Sequence, residues 1–479
     1  MILGMSKTTS QPSWQFLTED VEALLEGLRQ AEFDHIYPAN PTLFDRFLAY
    51  LGEAGVRETL DQFPDPRQRR SIPVRLLTQT LLVRPLFGVS SLAQLGPVLS
   101  TNAAVLQLLG FNAQQIEHGF RANAQRRPFD EEILADFAAR IEPAHCLTHT
   151  KAVLEQLLAF HPELFAQATL LMDCKAVYAP AGKATRSGQL PAVALKVCVL
   201  SLWLAGEALP IAWLFGGEHE ADQVLGKALL EEVLPLLGEA GAQELVMDAG
   251  FLDGVWLRAL HQQHGLAMLL RVRENMDLFA DALGQTRGRP VLPGERAPQW
   301  TKAPLPKIKK SRRPSSRRVM RCAQLESWQS LGMPADALVV EDRFSDGELR
   351  HFVVACIGAD EPDPLKLLAR WRARWAIEEL FMVADRYQKL GRLFPCREGF
   401  ARTWVHFAFL AYTLLFLFDR WAQDHPGELA ATRELLVIRG GNYGLIGLGD
   451  FAVILLDHHD VWQSKRSEVM AKLNFSRPP

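Results

Sequence analysis

Apolar residues recur at helical spacing through "TEDVEALLEGLRQAEF", "PVRLLTQTLLVRPLF" and "TNAAVLQLLGF", so residues 1 to about 150 read as a helical region. From about 165 the period changes. The short apolar run "ATLLMD" ends on Asp173, and "AVALKVCVLSLWLAG" with "EALPIAWLFGG" predicts two strands turning at Gly206–Glu207. An amphipathic helix follows over "DQVLGKALLEEVLPLLGEA", then a strand over "QELVMDAGF" that ends on Asp248. A helix over "GVWLRALHQQH" and a strand over "LAMLLRVR" complete this stretch. Strands alternating with helices after an opening meander indicate a mixed α/β core. Between 276 and about 350, Pro and Gly interrupt the rhythm; "HFVVACIG" (351 to 358) restores a strand, and Asp363–Pro364 marks a helix start. The remainder, 393 to 479, is mostly helical, and no internal repeat is visible.

Residues 370 to 392, "RWRARWAIEELFMVADRYQKLGR", predict one helix with Trp371, Trp375, Ile377, Leu380 and Phe381 to bury. Charges stand among them. At about 100° per residue, counted from Trp371, Arg374, Glu378 and Asp385 fall near roughly 300°, 340° and 320°. Lys389 returns to about zero. One face therefore collects Trp371, Arg374, Glu378, Asp385 and Lys389 in a column. A solvated face accounts for such charges on an isolated helix, so the column matters only if other carboxylates converge on Glu378.

The chain has 479 residues, enough for about two to four domains. Hydrophobic content of 48% and charged content of 22% are those of an ordinary soluble globular protein. A net charge of −3 decides nothing about a nucleic-acid partner, so local charge has to. Residues 301 to 321, "TKAPLPKIKKSRRPSSRRVMR", hold nine Lys or Arg and no acid. Arginines also cluster at 67, 69, 70 and 75 and at 121, 126 and 127, which fits phosphate contacts and surface solubility equally well. Six scattered cysteines without a CxxC pair suit a reduced, cytosolic protein. His145, Cys146 and His149 sit together in "AHCLTH", but no partner pair at zinc-ligand spacing follows, which argues against a metal there. The N-terminus lacks a signal-peptide pattern. The longest apolar run, Trp404 to Phe418, is shorter than the roughly 20 residues of a bilayer span and contains His406, so a buried helix is expected and no membrane partner.

Three acids occupy informative places. Asp173 and Asp248 each end an apolar run, and Glu378 lies on a later helix. Carboxylates so placed can hold a pair of Mg²⁺ ions in oxygen coordination, and paired metals suit in-line attack at phosphorus. A strand-end Asp also caps turns, and singly each is better read that way.

The order Asp, Asp, Glu on strand, strand and helix resembles the DDE transposases with a ribonuclease-H-like core. "WRARWAIE" resembles the signature of the insertion-sequence-four group: Tyr, two residues, Arg, three residues, Glu, six residues, Lys. Trp371 takes the Tyr place, Arg374 the Arg and Glu378 the Glu. "MDAGF" around Asp248 matches the group's second acid, "LLMDCKA" matches the first more loosely, and 276 to 350 occupies the place of the group's β-rich insertion. The signature's Lys falls on Asp385, which should repel the terminal phosphate that this Lys contacts. Arg386 or Lys389 is expected to substitute, Lys389 from one turn further on the same face, or else binding to the ends is expected to be impaired.

The resemblance implies an α/β fold: a ribonuclease-H-like mixed sheet flanked by helices, with a β-rich insertion and helical N- and C-terminal regions. The implied layout is a DNA-binding domain over 1–150, a core over 165–275 and 351–392, a basic insertion over 276–350 and a C-terminal region over 393–479. It implies a cytoplasmic, nucleoid-associated bacterial transposase of a mobile element. Asp173, Asp248 and Glu378 would be catalytic and hold two Mg²⁺, with Mn²⁺ able to replace them. Its partners would be double-stranded DNA, namely the terminal inverted repeats and the target, with a homodimer on paired ends. Arg374, Trp371, Lys389, Arg386, Trp300, Lys309, Lys310, Arg312 and Arg313 would contact DNA, Trp300 as holder of a flipped base. The alternatives are a non-cleaving DNA-binding protein descended from a transposase, which Asp385 favours, and a metal-dependent nuclease without strand transfer.

Overall fold

The most apolar runs of the chain lie side by side at the centre of one sheet. The computed structural model describes residues 15–16, 21–39, 42–68, 70, 72–87, 89, 91, 94–95, 103–120, 131–166, 168–180, 192–238, 241–287, 299–305, 313–388, 397–424, 434–440 and 442–473. The chain divides into two compact units, Met1–Arg140 with Leu414–Pro479, and Ile141–Thr413.

The second unit holds a nine-stranded sheet. Its strands are β1 (Ala168–Pro180), β2 (Ala192–Leu204), β3 (Glu207–Gly217), β4 (Ala242–Met247), β5 (Ala267–Arg271), β6 (Thr301–Lys302), β7 (Ser316–Leu325), β8 (Ala335–Arg343) and β9 (Leu349–Ile357). They run in the order β3-β2-β1-β4-β5-β9-β8-β7-β6. β1 to β3 form an antiparallel meander, while β4 lies parallel to β1 and β5 parallel to β4. This is the expected ribonuclease-H-like mixed sheet. The hairpin between β2 and β3 turns on Ala205 and Gly206, with φ of 54° and 91°, one residue earlier than the sequence pattern places it. Two consecutive positive φ values match the right-handed twist of the flanking strands.

Helices supply the parallel crossovers. Helix α1 (Pro143–Phe160) precedes the sheet, α2 (Asp222–Leu237) joins β3 to β4, and α3 (Gly254–His264) joins β4 to β5. α2 packs closely at Gly226, where a Cβ would stand 2.7 Å from the Phe251 ring and 3.0 Å from Met172 of β1. After α4 (Asp277–Gln285), strands β6 to β8 pair onward from β9, so the strands of the expected insertion extend the core sheet rather than forming a layer of their own. The basic residues of β7 face acids directly across β8: Arg317 opposite Asp342, Arg318 opposite Glu341.

The single helix expected over 370 to 392 is two among the described residues, α5 (Pro364–Arg372) and α6 (Trp375–Gln388). Between them the amides of Ala373, Arg374 and Ala376 bond carbonyls three residues back, at 2.9, 3.2 and 2.9 Å, tightening the turn. The tightening re-phases the helix. Ile377, Leu380 and Phe381 are buried as expected, but Trp375 emerges 55% exposed and Trp371 is half-buried.

The first unit contains helices such as Val21–Arg29, Thr42–Glu53 and Val74–Val83, and also strands that the sequence pattern does not reveal. Gln15–Phe16, Asn442–Gly447, Glu434–Arg439 and His35–Ala39 form an antiparallel sheet in that order, uniting both ends of the chain. Leu28, Phe33, Ile36, Val437 and Trp462 pack in its core. Helix α7 (Glu398–Asp424) is long and apolar enough to cross a membrane, yet 83% of its most apolar stretch is buried inside the protein.

Candidate active site

Register brings two acids together. The parallel pairing of β1 with β4 ends at Met172 opposite Met247, so the next residues, Asp173 and Asp248, follow side by side. Asp248 comes directly after β4, as the pattern indicates. Asp173 does not end its strand: β1 continues to Pro180 because antiparallel pairing with β2 persists after β4 has stopped. Each Asp has one oxygen occupied locally, Oδ1 of Asp173 accepting from the Cys174 amide at 2.8 Å and Oδ1 of Asp248 from Ala249 at 2.6 Å.

The third acid arrives from α6, with an arginine between. Arg374, in the tight turn before α6, donates through Nη1 to Oδ2 of Asp173 at 3.2 Å and through Nη2 to Oε1 of Glu378 at 2.5 Å. The guanidinium thus joins a strand acid to a helix acid 205 positions later along the chain (378 − 173). Side chains of Arg374, Asp173 and Glu378 are 15%, 17% and 32% exposed, so the group is partly desolvated. Burial pushes the Asp173 carboxyl up to about 6; Arg374 and the Cys174 amide oppose the rise, while the charges of Asp248 and Glu378 add to it.

Such crowding of partly desolvated carboxylates is the environment that a divalent cation relieves. The donors are all hard oxygens, which suits Mg²⁺ or Mn²⁺ over zinc. A cationic side chain already spans two of them, because Arg374 donates to oxygens of both Asp173 and Glu378. Among the described residues, no three His, Cys, Asp or Glu side chains stand close enough to ligate one ion. The acids therefore match a divalent metal in donor type, while Arg374 bridges two of them.

Asp385, at the place of the signature Lys, is not left to repel. Lys175, two residues beyond Asp173 on β1, donates to its Oδ2 at 2.6 Å and lies 5.4 Å from the Phe381 ring centroid. Nothing in the local pattern around 370 to 392 points to this lysine; the only signal is its alternation with Asp173 along the strand. Arg273, just after β5, is also missed by sequence reasoning; its Nη2 donates to the Ala249 carbonyl beside Asp248 at 2.9 Å.

The remaining expected contacts are less concentrated. Trp371 lies against Phe352 with ring centroids 5.2 Å apart, and its buried indole nitrogen has no hydrogen-bond partner among the described residues. Trp300 carries the Arg318 guanidinium 4.2 Å over its ring, so that face is covered. Arg313 is exposed. Arg386 belongs to α6, but its side chain lies outside the described residues, as do Lys309, Lys310, Arg312, Lys389, Arg69, Arg121, Arg126 and Arg127. Arg67 is buried against Asp65 at 2.7 Å. His149 of "AHCLTH" belongs to a buried network: its Nδ1 meets Nε2 of His406 at 2.9 Å, and Trp213 Nε1 donates to His406 Nδ1 at 3.1 Å.

Residues 200–414 match the family described as transposase DDE domain. The match contains Asp248, Arg374 and Glu378 and begins downstream of Asp173. No curated protein matches the chain.

Proposed function

We propose that this chain is a DDE transposase of the insertion-sequence-four type, which cuts DNA at terminal inverted repeats and joins the freed 3′-hydroxyl ends to target DNA. The observation that carries this reading is the meeting of Asp173, beside Asp248 at the end of the parallel pairing, with Glu378 through Arg374. The similarity of residues 200–414 to transposase DDE domains supports it.

Asp173, Asp248 and Glu378 would hold two Mg²⁺, with Mn²⁺ as a substitute. Ions held there supply charge for in-line displacement at phosphorus. The chain's own groups do the rest. The Cys174 and Ala249 amides fix one oxygen of each Asp, and Arg374 meets the other oxygen of Asp173. Arg374 exchanges carboxylates for a phosphate, a transfer its planar fork suits because both partners accept paired hydrogen bonds. Trp371, Arg386 and Lys389 would be further DNA contacts, and so would Trp300, Lys309, Lys310, Arg312 and Arg313 of the insertion. The region 1–150 would read the repeats, and two copies would pair the ends. Free cysteines among the described residues accord with a reduced bacterial cytoplasm at the nucleoid.

The test is incubation of the purified chain with Mg²⁺ and duplex DNA carrying the native ends. Cleavage with joining supports the proposal. Cleavage alone selects a nuclease, and binding alone selects a non-cleaving descendant of a transposase.

A further inference from the structure

Lys175 and Asp173 occupy alternate positions on β1, so both side chains leave the same face, with backbones about 6.6 Å apart. A lysine so close to an acid cluster would ordinarily swing toward the acids or into water. This one is seated. Asp385 of α6 accepts from its ammonium at 2.6 Å, the Phe381 ring lies beneath at 5.4 Å, and only 19% of the side chain is exposed. An ammonium has three N–H donors. Asp385 Oδ2 takes one, and no other acceptor meets it among the described residues.

The charge around it sets the need. Asp173, Asp248 and Glu378 gather three carboxylates where a polyanionic substrate would have to come, and Arg374 is already divided between two of them. We propose that Lys175 is a substrate-binding residue, whose ammonium receives a backbone phosphate oxygen of the DNA next to the phosphate under attack, and that Asp385 is its positioning residue. This rests on the transposase reading. A flexible lysine stem held in place by a carboxylate and a ring has lost its rotamer freedom before the substrate arrives, which favours binding.

The experiment uses the full chain, Mg²⁺ and duplex DNA carrying the native ends, with cleavage rate, affinity against salt, and thermal unfolding as readouts. Lys175→Gln should slow cleavage at least about tenfold and reduce the slope of log affinity against log salt by about 0.9, the share of one phosphate. Lys175→Arg, which keeps the charge, should retain more activity than Lys175→Gln. The pair Lys175→Met with Asp385→Leu separates binding from a mere fastening of α6 to β1. That chain should unfold at the wild-type temperature and remain as defective as Lys175→Gln, whereas exchanging the charges, Lys175→Asp with Asp385→Lys, should recover part of the rate. Recovery by the apolar pair, or an unchanged salt slope in Lys175→Gln, overturns the assignment. Wild-type cutting with an unaffected Lys175→Gln sinks this inference alone; a wild-type chain that neither binds nor cuts sinks the transposase reading with it.

Discussion

Arg374 holds Asp173 at 3.2 Å while its other nitrogen holds Glu378 at 2.5 Å, so one guanidinium occupies the place between the strand acid and the helix acid. Any divalent ion entering there competes with it. Charge-assisted hydrogen bonds are worth about 1.5–3 kcal/mol each, so removing the competitor should tighten Mg²⁺ binding by roughly tenfold or more. Arg374→Gln is therefore expected to gain a larger Mg²⁺-induced rise in unfolding temperature than wild type, while cleavage falls. Equal rises in both proteins would mean that Arg374 does not stand where the metal binds.

Asp173→Ala, Asp248→Ala and Glu378→Ala are each expected to abolish Mg²⁺-dependent cleavage and leave binding to the DNA ends largely intact. Losing one carboxylate would remove a ligand of the proposed metal pair and not the proposed phosphate contacts. Gel-shift and cleavage assays on the same preparations separate the two effects. Near-normal cutting by any one variant removes that residue from the triad.

The site is legible where chemistry and local period coincide, and hidden where it depends on register between distant segments. Asp248 and Glu378 stand out because an apolar strand ends on one and "WRARWAIE" frames the other. Asp173 stands out too, but as a strand end, because an apolar run shows where burial stops and not where pairing with β2 continues. The Lys175–Asp385 pair joins residues 210 apart, and no window of sequence contains both. The break before α6 is invisible for another reason: Ala373 and Arg374 are good helix formers, so the pattern reads through them. In the first unit, His35–Ala39 is hard to see because it is short and contains Pro38; it is an edge strand, one of the few places in a sheet where Pro is tolerated.

Buried histidines should make the fold acid-sensitive. Burial pushes His149 down to about 3 and His406 well below its ordinary 6.5, the latter also through His149. In the unfolded chain both take up a proton near 6.5, and in the folded chain they stay neutral. Their contribution to stability is therefore complete above about pH 6.5 and is lost progressively as pH falls from there toward about 3. The chain His149→Leu with His406→Gln, in which Gln still offers Trp213 an acceptor, should lose less unfolding temperature than wild type between about pH 7 and about pH 5. Parallel losses in the two proteins would show that these imidazoles titrate normally.

The basic run divides at the start of β7. Arg317 is buried against Asp342 at 2.6 Å, and Arg318 pairs with Glu341 at 2.7 Å while covering Trp300, so neither reaches a phosphate without breaking a cross-strand pair. Lys309, Lys310, Arg312 and Arg313 precede the strand, in a stretch of sequence that contains no acid. Each phosphate that a side chain neutralises adds about 0.9 to the slope of log affinity against log salt. Changing these four to Ser is expected to weaken DNA binding and flatten that slope by up to about 3.6, with little change in unfolding temperature. Arg317→Ser should behave in the opposite way. It strands Asp342 at 13% side-chain exposure, a loss of the kind that costs about 3–5 kcal/mol when a buried pair is broken, and it should leave the salt slope where it was. If Arg317→Ser flattens the slope and the fourfold variant does not, the DNA runs along β7 and not along the segment before it.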